Sequence, residues 1–322
     1  MIKKILITGG AGYIGSVLSS YLLDKGYQIV ILDDLSVGKK TAIDLRASFI
    51  PGSILDFELM TNILVGVDVV IHFAAKSLVG ESVESPDLYF RVNVSGTQLL
   101  IEAMKLCGVQ KIIFASSSAV YGNAEKFPIN ENVKCSPINP YGATKLEGEK
   151  LLTEYSKKGI SAISFRFFNI SGAYKNKLGY WINENRDNET HLIPKIIKHL
   201  KTVCQAEKFL IYGTNWPTSD GSCVRDYLHV NDLAAAHLEA FSYFENSKHK
   251  IYNLGSGIGS SVFNVIDLAQ ELAEKKVISR VVQPRAGDAA ISYADIQKVC
   301  AEINWSPKQS LKDILSSSWY GF

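Results

Sequence analysis

The segment Lys4-Ile5-Leu6-Ile7-Thr8-Gly9-Gly10-Ala11-Gly12-Tyr13-Ile14-Gly15 restricts what this chain can fold into more than any other. Residues 2–8 carry the apolar run Ile5-Leu6-Ile7, which predicts a strand buried on both faces. Directly after it, Ile14, Val17, Leu18, Tyr21 and Leu22 recur at i, i+3, i+4, i+7 and i+8. That period predicts an amphipathic helix ending near Gly26. Gly9, Gly12 and Gly15 join the two, and each has its own task there. Gly9 permits the tight turn, Gly12 lets a pyrophosphate approach the backbone, and Gly15 allows close helix–strand packing. The helix start offers free N–H groups and a positive dipole end to phosphates. A glycine-rich turn alone is ordinary. Between this strand and this helix it predicts a dinucleotide site, with Tyr13 and Ile14 at its wall.

Asp33 closes a second predicted strand, residues 28–32, about twenty residues beyond the glycines. A carboxylate there accepts hydrogen bonds from the adenosine ribose and repels a 2′-phosphate, so NAD is favoured over NADP. Its plainer alternative is a turn residue or helix cap. Residues 67–73 and 111–115 read as further buried strands, and residues 86–107 as a long helix. Pro140 opens another helix, with Asn139 as its cap. Strands alternating with helices imply right-handed crossovers and an α/β fold, a Rossmann-type doubly wound parallel sheet.

Beyond Ala173 the texture changes. Residues 174–190 are polar and aperiodic and read as a loop over a site. Helix-like residues 192–203 and strand-like residues 209–212 and 250–254 suggest a smaller C-terminal α/β domain. The expected division is 1–173 and 174–322, with part of 226–262 returning to the first domain. A chain of 322 residues, 47% apolar, can bury the core this requires. Its net charge of +2 gives no reason to expect nucleic acid or an anionic membrane as partner. Five scattered cysteines without a CxxC pair read as free thiols of a reducing compartment. No apolar run approaches a membrane span or a signal-peptide core, so a cytoplasmic protein is expected. No metal site is expected.

Tyr141 and Lys145 stand at i and i+4 on the helix that Pro140 opens, so they share one face. A phenol with a pKa near 10 is a poor base at neutral pH. A lysine ammonium one turn away, with a nicotinium charge, would favour the phenolate. Such a pair alone usually marks a solvated helix face. Here it accompanies the glycine turn and Ser116-Ser117-Ser118 at the end of a buried strand.

With these features the chain resembles the extended short-chain dehydrogenase/reductase family, and within it the UDP-glucose 4-epimerases. The resemblance runs through GGAGYIGS (from Gly9), HFAAKSLVGES (from His72), SSSAVYG (from Ser116), NPYGATK (from Asn139) and RFFNISGA (from Arg166). It continues through THLIP (from Thr190), PTSDGSCVRDYLHVNDLA (from Pro217) and PRAGD (from Pro284), the three most specific segments, because they lie in the substrate half. It implies that Tyr141 is the acid and base on the sugar 4-hydroxyl, that Ser117 holds that hydroxyl, and that Lys145 binds the nicotinamide ribose. Phe73, Ala74, Ala75, Ser77 and Asn93 would line the NAD, joined by Ser53, Ile54, Ser116 and Phe168. Asn169, His191, Leu192, Leu210, Tyr212, Arg225, Arg285, Asp288 and Ser292 would hold a UDP-sugar, with the two arginines facing its pyrophosphate. The implied reaction is redox-neutral, passing through a transient 4-keto sugar and enzyme-bound NADH. A homodimer is implied through residues 86–107 and 140–158.

Two departures from the family pattern stand out. Ser53 replaces an acidic residue that contacts the adenine amino group, and residues 178–188 lack a Gly-Glu-Asp run. The nearest rival, a sugar-nucleotide 4,6-dehydratase, needs an Asp-Glu pair where this chain has Ser118 and Ala119. Other rivals are an epimerase of a different UDP-sugar, such as an N-acetylhexosamine or a pentose, and a non-catalytic NAD-binding protein. Against the last stands the intact Ser117, Tyr141 and Lys145 set. Arg225-Asp226 has a plain alternative as a structural ion pair.

Overall fold

Seven strands hydrogen-bond into one wholly parallel sheet in a computed structural model that describes residues 2–186, 189–202, 208–285 and 288–322. Across it run His249–Leu254, Ser161–Phe167, Lys111–Ser117, Val69–His72, Lys4–Thr8, Gln28–Asp33 and Ser48–Pro51. The chain order reverses at the inner strand Lys4–Thr8, which pairs with Gln28–Asp33 on one side and Val69–His72 on the other. At such a switch point a crevice opens at the carboxyl ends of the strands. The ends meeting there are Thr8, Asp33, His72, Ser117 and Phe167.

The middles of the inner strands are apolar and buried because helices cover both faces of the sheet there. Ile5 and Ile7 pack with Leu18 and Leu22 of the helix Tyr13–Asp24, while Leu6 packs on the other side with Leu100 and Met104. The chain turns after this helix at Gly26, whose φ of 89° suits glycine. The helix Pro140–Ser156 begins as its sequence implies: Asn139 caps it by accepting the Gly142 N–H at 2.8 Å.

Two expectations need correction. The long helix of residues 86–107 is Pro86–Tyr89 and Gly96–Leu106 joined by a wide π-helical turn, Phe90–Ser95. That turn carries Asn93 inward, and no periodicity in the sequence announces it. Residues 174–190, read as loop, contain a short antiparallel hairpin between Tyr174–Lys175 and Trp181–Ile182. Partners far off in sequence hold it. The Tyr174 hydroxyl donates to Asp24 at 2.6 Å, and Arg46 bonds both Asp24 and Asp44 at 2.7 Å.

The rest of the chain forms a second core around Ile193, Ile196, Ile197 and Leu200 of the helix Leu192–Lys201, packed with Ile211, Val265 and Ile314. The residue expected to end that helix, Val203, lies outside the described residues, as does Cys204. Val224–His229 ties the two halves together. Its first residues pair with Gly259–Ser261 and Ile291–Ser292, and its last with Asn169–Ser171.

Candidate active site

A cavity of about 1230 Å³ opens at the carboxyl ends of the sheet. Its walls include Gly9, Gly12, Tyr13, Ile14, Gly15, Asp33, Ser53, Ile54, Phe73, Ala74, Ala75, Ser77, Phe168, Asn169, His191 and Leu192, together with Ser117, Tyr141 and Lys145. The glycine turn explains its own composition. Gly9 has a φ of 72°, and a Cβ there would sit 2.6 Å from the Ala74 backbone nitrogen. A Cβ on Gly15 would lie 2.3 Å from the Gly9 carbonyl oxygen, so this glycine packs the helix against the turn rather than against the strand. At Gly12 the nearest atom is 3.4 Å away, which leaves the backbone open to an incoming phosphate. No side chain caps the helix Tyr13–Asp24 at its cavity end. An uncapped helix start behind an open glycine suits a pyrophosphate.

Asp33 does two things. Its carboxylate accepts the Ala11 N–H at 2.9 Å and the Leu35 N–H at 2.8 Å, so it pins the glycine turn while lining the cavity. Burial pushes its pKa up, and the two backbone bonds oppose that. Ser53 also lines the cavity, with its hydroxyl accepting the Leu55 N–H at 3.2 Å.

Lys145 is buried, donates to the Ala115 carbonyl at 2.8 Å, and stands 5.9 Å from the Tyr141 ring centroid. Burial pushes its pKa down to about 8. Burial also raises the Tyr141 pKa, against a hydrogen bond from Ser117 and the charge of Arg186, which lower it. In the protein alone the Arg186 charge lowers the Tyr141 pKa, while the Lys145 ammonium donates to a backbone carbonyl beside the ring. With a pKa of about 8 it stays mostly protonated at neutral pH, turned toward that carbonyl.

Two residues expected at the cofactor have their side chains engaged elsewhere. Asn93 is buried and off the cavity; it accepts the Lys76 N–H at 2.8 Å and donates to the Lys76 carbonyl and the Thr144 hydroxyl at 3.0 Å. It therefore clamps the segment beside Ala75 to the helix of Tyr141. The Ser116 hydroxyl donates to Glu149 at 2.5 Å, away from the cavity its residue borders.

Leu210, Tyr212, Arg225, Arg285, Asp288 and Ser292 do not border this cavity. They form a neighbouring group, in which the Arg285 guanidinium lies 3.9 Å from the Tyr212 ring centroid and Arg225 is 3.7 Å from Asp288. Arg225 and Ser292 are strand partners, and Tyr227, two residues on from Arg225, lines the cavity. Arg225 and Asp226 are not an ion pair. The buried Asp226 accepts from the backbones of Ser256, Gly257 and Ala294 instead.

The spacing rules missed Lys76, Arg186, Glu184 and Tyr227, all on the cavity wall. Arg186 lies 3.2 Å from Glu184, whose other contact is the His191 ring at 2.6 Å. Burial depresses the His191 pKa, but the Glu184 carboxylate outweighs it and the net shift is upward. These residues lie in the aperiodic stretch, where only the fold shows which side chains turn inward. Glu184, Glu189 and His191 gather three ligand-type atoms within 4.8 Å, but Arg186 and two backbone N–H groups already engage the carboxylates. Asp187 and Asn188 lie outside the described residues.

The sequence profile of the NAD dependent epimerase/dehydratase family matches residues 5–255. The chain belongs to that family. It is 41% identical over 318 residues to the UDP-glucose 4-epimerase of Corynebacterium glutamicum, covering 98% of this chain and 94% of that one. The Streptomyces lividans UDP-glucose 4-epimerase is 39% identical, with 99% and 96% covered. Among solved structures, the UDP-glucose-4-epimerase of Stenotrophomonas maltophila, crystallised with NAD and formylated UDP-arabinopyranose, superposes with a TM-score of 0.93. It is 33% identical, with 99% of this chain and 97% of that one covered.

Proposed function

We propose that this protein is an isomerase, a NAD-dependent UDP-glucose 4-epimerase that interconverts UDP-glucose and UDP-galactose. The observation that carries the reading is one cavity lined by a glycine turn and the Asp33 carboxylate together with Ser117, Tyr141 and Lys145. Bound NAD supplies the acceptor and donor of hydride at sugar C4. Gly12, the start of the helix Tyr13–Asp24 and Asp33 hold it, along with Phe73, Ala74 and Ala75. Tyr141 removes the proton of the 4-hydroxyl and returns it, and Ser117 orients that hydroxyl. Lys145 places the nicotinamide ribose. Asn169, His191, Leu192, Leu210, Tyr212, Arg225, Arg285 and Asp288 hold the UDP-sugar, with the two arginines facing its pyrophosphate.

Substrate width rests on Ser292, the strand partner of Arg225 beside the cavity, at the position where the resemblance puts the residue that faces the sugar 2-substituent and where a bulky tyrosine would exclude an N-acetyl group. UDP-N-acetylglucosamine and its galacto epimer are therefore substrates as well. A 4,6-dehydratase is disfavoured by Ser118 and Ala119, neither of which can move protons between C5 and C6. The NAD-binding domain is residues 1–173, and the UDP-sugar domain 174–322. A homodimer through residues 86–107 and 140–158 is supported by the exposed apolar side chains Phe90 and Leu106 along that first segment. A cytoplasmic location is supported by the free cysteines Cys107, Cys135, Cys223 and Cys300. Among the described residues no helix is long and apolar enough to cross a membrane.

The test is to incubate the purified protein with UDP-galactose, UDP-N-acetylgalactosamine and UDP-arabinose separately and to identify the products by NMR. UDP-glucose forms from UDP-galactose. Recovery of all three sugars unchanged overturns the reading.

A further inference from the structure

We propose that Glu149 is a positioning residue for the reaction, a buried carboxylate that sets the height of the catalytic helix against the strand carrying Ser117. The inference rests on the epimerase reading above and adds to it. Tyr141, Lys145 and Glu149 stand at i, i+4 and i+8 on the helix Pro140–Ser156, so they share one stripe. The first two reach the cavity, while the third goes beneath its floor. One Glu149 oxygen accepts from the Ser116 hydroxyl at 2.5 Å and from Arg166 Nε at 2.9 Å, and the other accepts from Arg166 Nη2 at 2.6 Å. Arg166 then donates to the Tyr121 hydroxyl at 2.9 Å, which donates to Asn253 at 2.6 Å. All five residues are buried.

Successive strand residues point to opposite faces, so a grip on Ser116 decides where Ser117 emerges on the other side. Lys145 adds a second grip one residue earlier, at the Ala115 carbonyl. The catalytic serine and tyrosine belong to different elements, and the Glu149 network is the buried, charge-assisted connection between them. Stability alone does not call for it, since well-packed apolar residues commonly serve a buried ion pair's place as well or better. A bidentate, charge-assisted pair fixes distance and direction as apolar packing does not.

The test uses the full-length holoenzyme. The double variant Glu149→Leu/Arg166→Met leaves no unpaired buried charge, and Ser116→Ala removes only the hydroxyl that joins Glu149 to the strand. Each is measured for kcat and KM with UDP-galactose, for its thermal midpoint, and for the titration of the Tyr141 phenol. That titration is the phenolate absorbance difference between each protein and its Tyr141→Phe counterpart. The expected result is a roughly tenfold to hundredfold fall in kcat with KM little changed, and a displaced Tyr141 titration, in protein that remains folded. A folded double variant, or Ser116→Ala if the double variant does not fold, with wild-type kcat and an unmoved Tyr141 titration overturns the proposal. Absence of turnover in the wild type speaks against the epimerase reading, and the phenol titration then decides on Glu149 by itself.

Discussion

Three histidines that touch no catalytic group make the fold sensitive to acid. His72, His229 and His237 are at most 2% exposed, and burial pushes their pKa values down to about 3, 4 and 4. Each folds as the neutral ring, whereas the unfolded chain takes up a proton near pH 6.5. The unfolded state therefore binds more protons between about pH 6.5 and 4, and stability falls as the pH drops through that window. At about pH 5 each ring costs about 2 kcal/mol relative to neutral pH, so the three together cost about 6 kcal/mol. That rivals the whole stability of a typical domain, about 5–15 kcal/mol. His237 isolates the effect. Its ring sits among Phe73, Phe165 and Phe167 at centroid distances of 5.5, 5.0 and 5.9 Å, with Nδ1 on the Leu233 carbonyl at 2.8 Å and Nε2 unpartnered. Urea unfolding of the wild type and His237→Leu at neutral pH and at about pH 5 measures the difference. The variant loses about 2 kcal/mol less than the wild type between the two. An identical loss in both proteins refutes the assignment of His237 as a buried neutral ring.

Tyr141→Phe lowers turnover of UDP-galactose by roughly 10²–10⁴, with affinity for the UDP-sugar kept within a few-fold; near-normal turnover removes Tyr141 from the chemistry. Asp33→Ala weakens NAD binding and relaxes discrimination against NADP, as titration of the cofactor-free protein reads directly; tighter NADP binding by the wild type contradicts the assignment. Ser292→Tyr abolishes activity on UDP-N-acetylgalactosamine and spares UDP-galactose, and a wild type that does not turn over the N-acetylated sugar ends the argument from Ser292. Gly15→Ala drives a Cβ to 2.3 Å from the Gly9 carbonyl, so it costs about 1–3 kcal/mol in urea unfolding and reduces the NAD that copurifies.

Much of the first half was legible because its information is local. An apolar run, three glycines at a fixed spacing and a 3.6-residue period follow from neighbours along the chain, and they place Gly9, Gly12 and Asp33 on one crevice once the sheet is parallel. Asn139 and Pro140 likewise mark a helix start that the backbone obeys. Where a side chain points within that frame was a different matter. Ser116 and Ser117 are neighbours of the same kind, yet one hydroxyl bonds a carboxylate below the sheet and the other bears on Tyr141 above it. Asn93 turns inward only because a wide helical turn rotates it there.

The residues 174–190 show the limit most clearly. Their polar, aperiodic texture reads as loop because the groups that satisfy Tyr174 and Asn176 come from Ser20, Asp24 and Asp44, more than a hundred residues earlier. Arg186 and Glu184 enter the cavity wall from the same stretch. Local composition determined the strand–turn–helix, the cofactor class it suits and the spacing of Tyr141 and Lys145. Tertiary structure alone decided the electrostatics, because burial and charge depend on which distant elements meet. Burial takes the Lys145 pKa down to about 8 and raises that of Tyr141, against the charge of Arg186, forty-five positions along the chain from the tyrosine on which it acts.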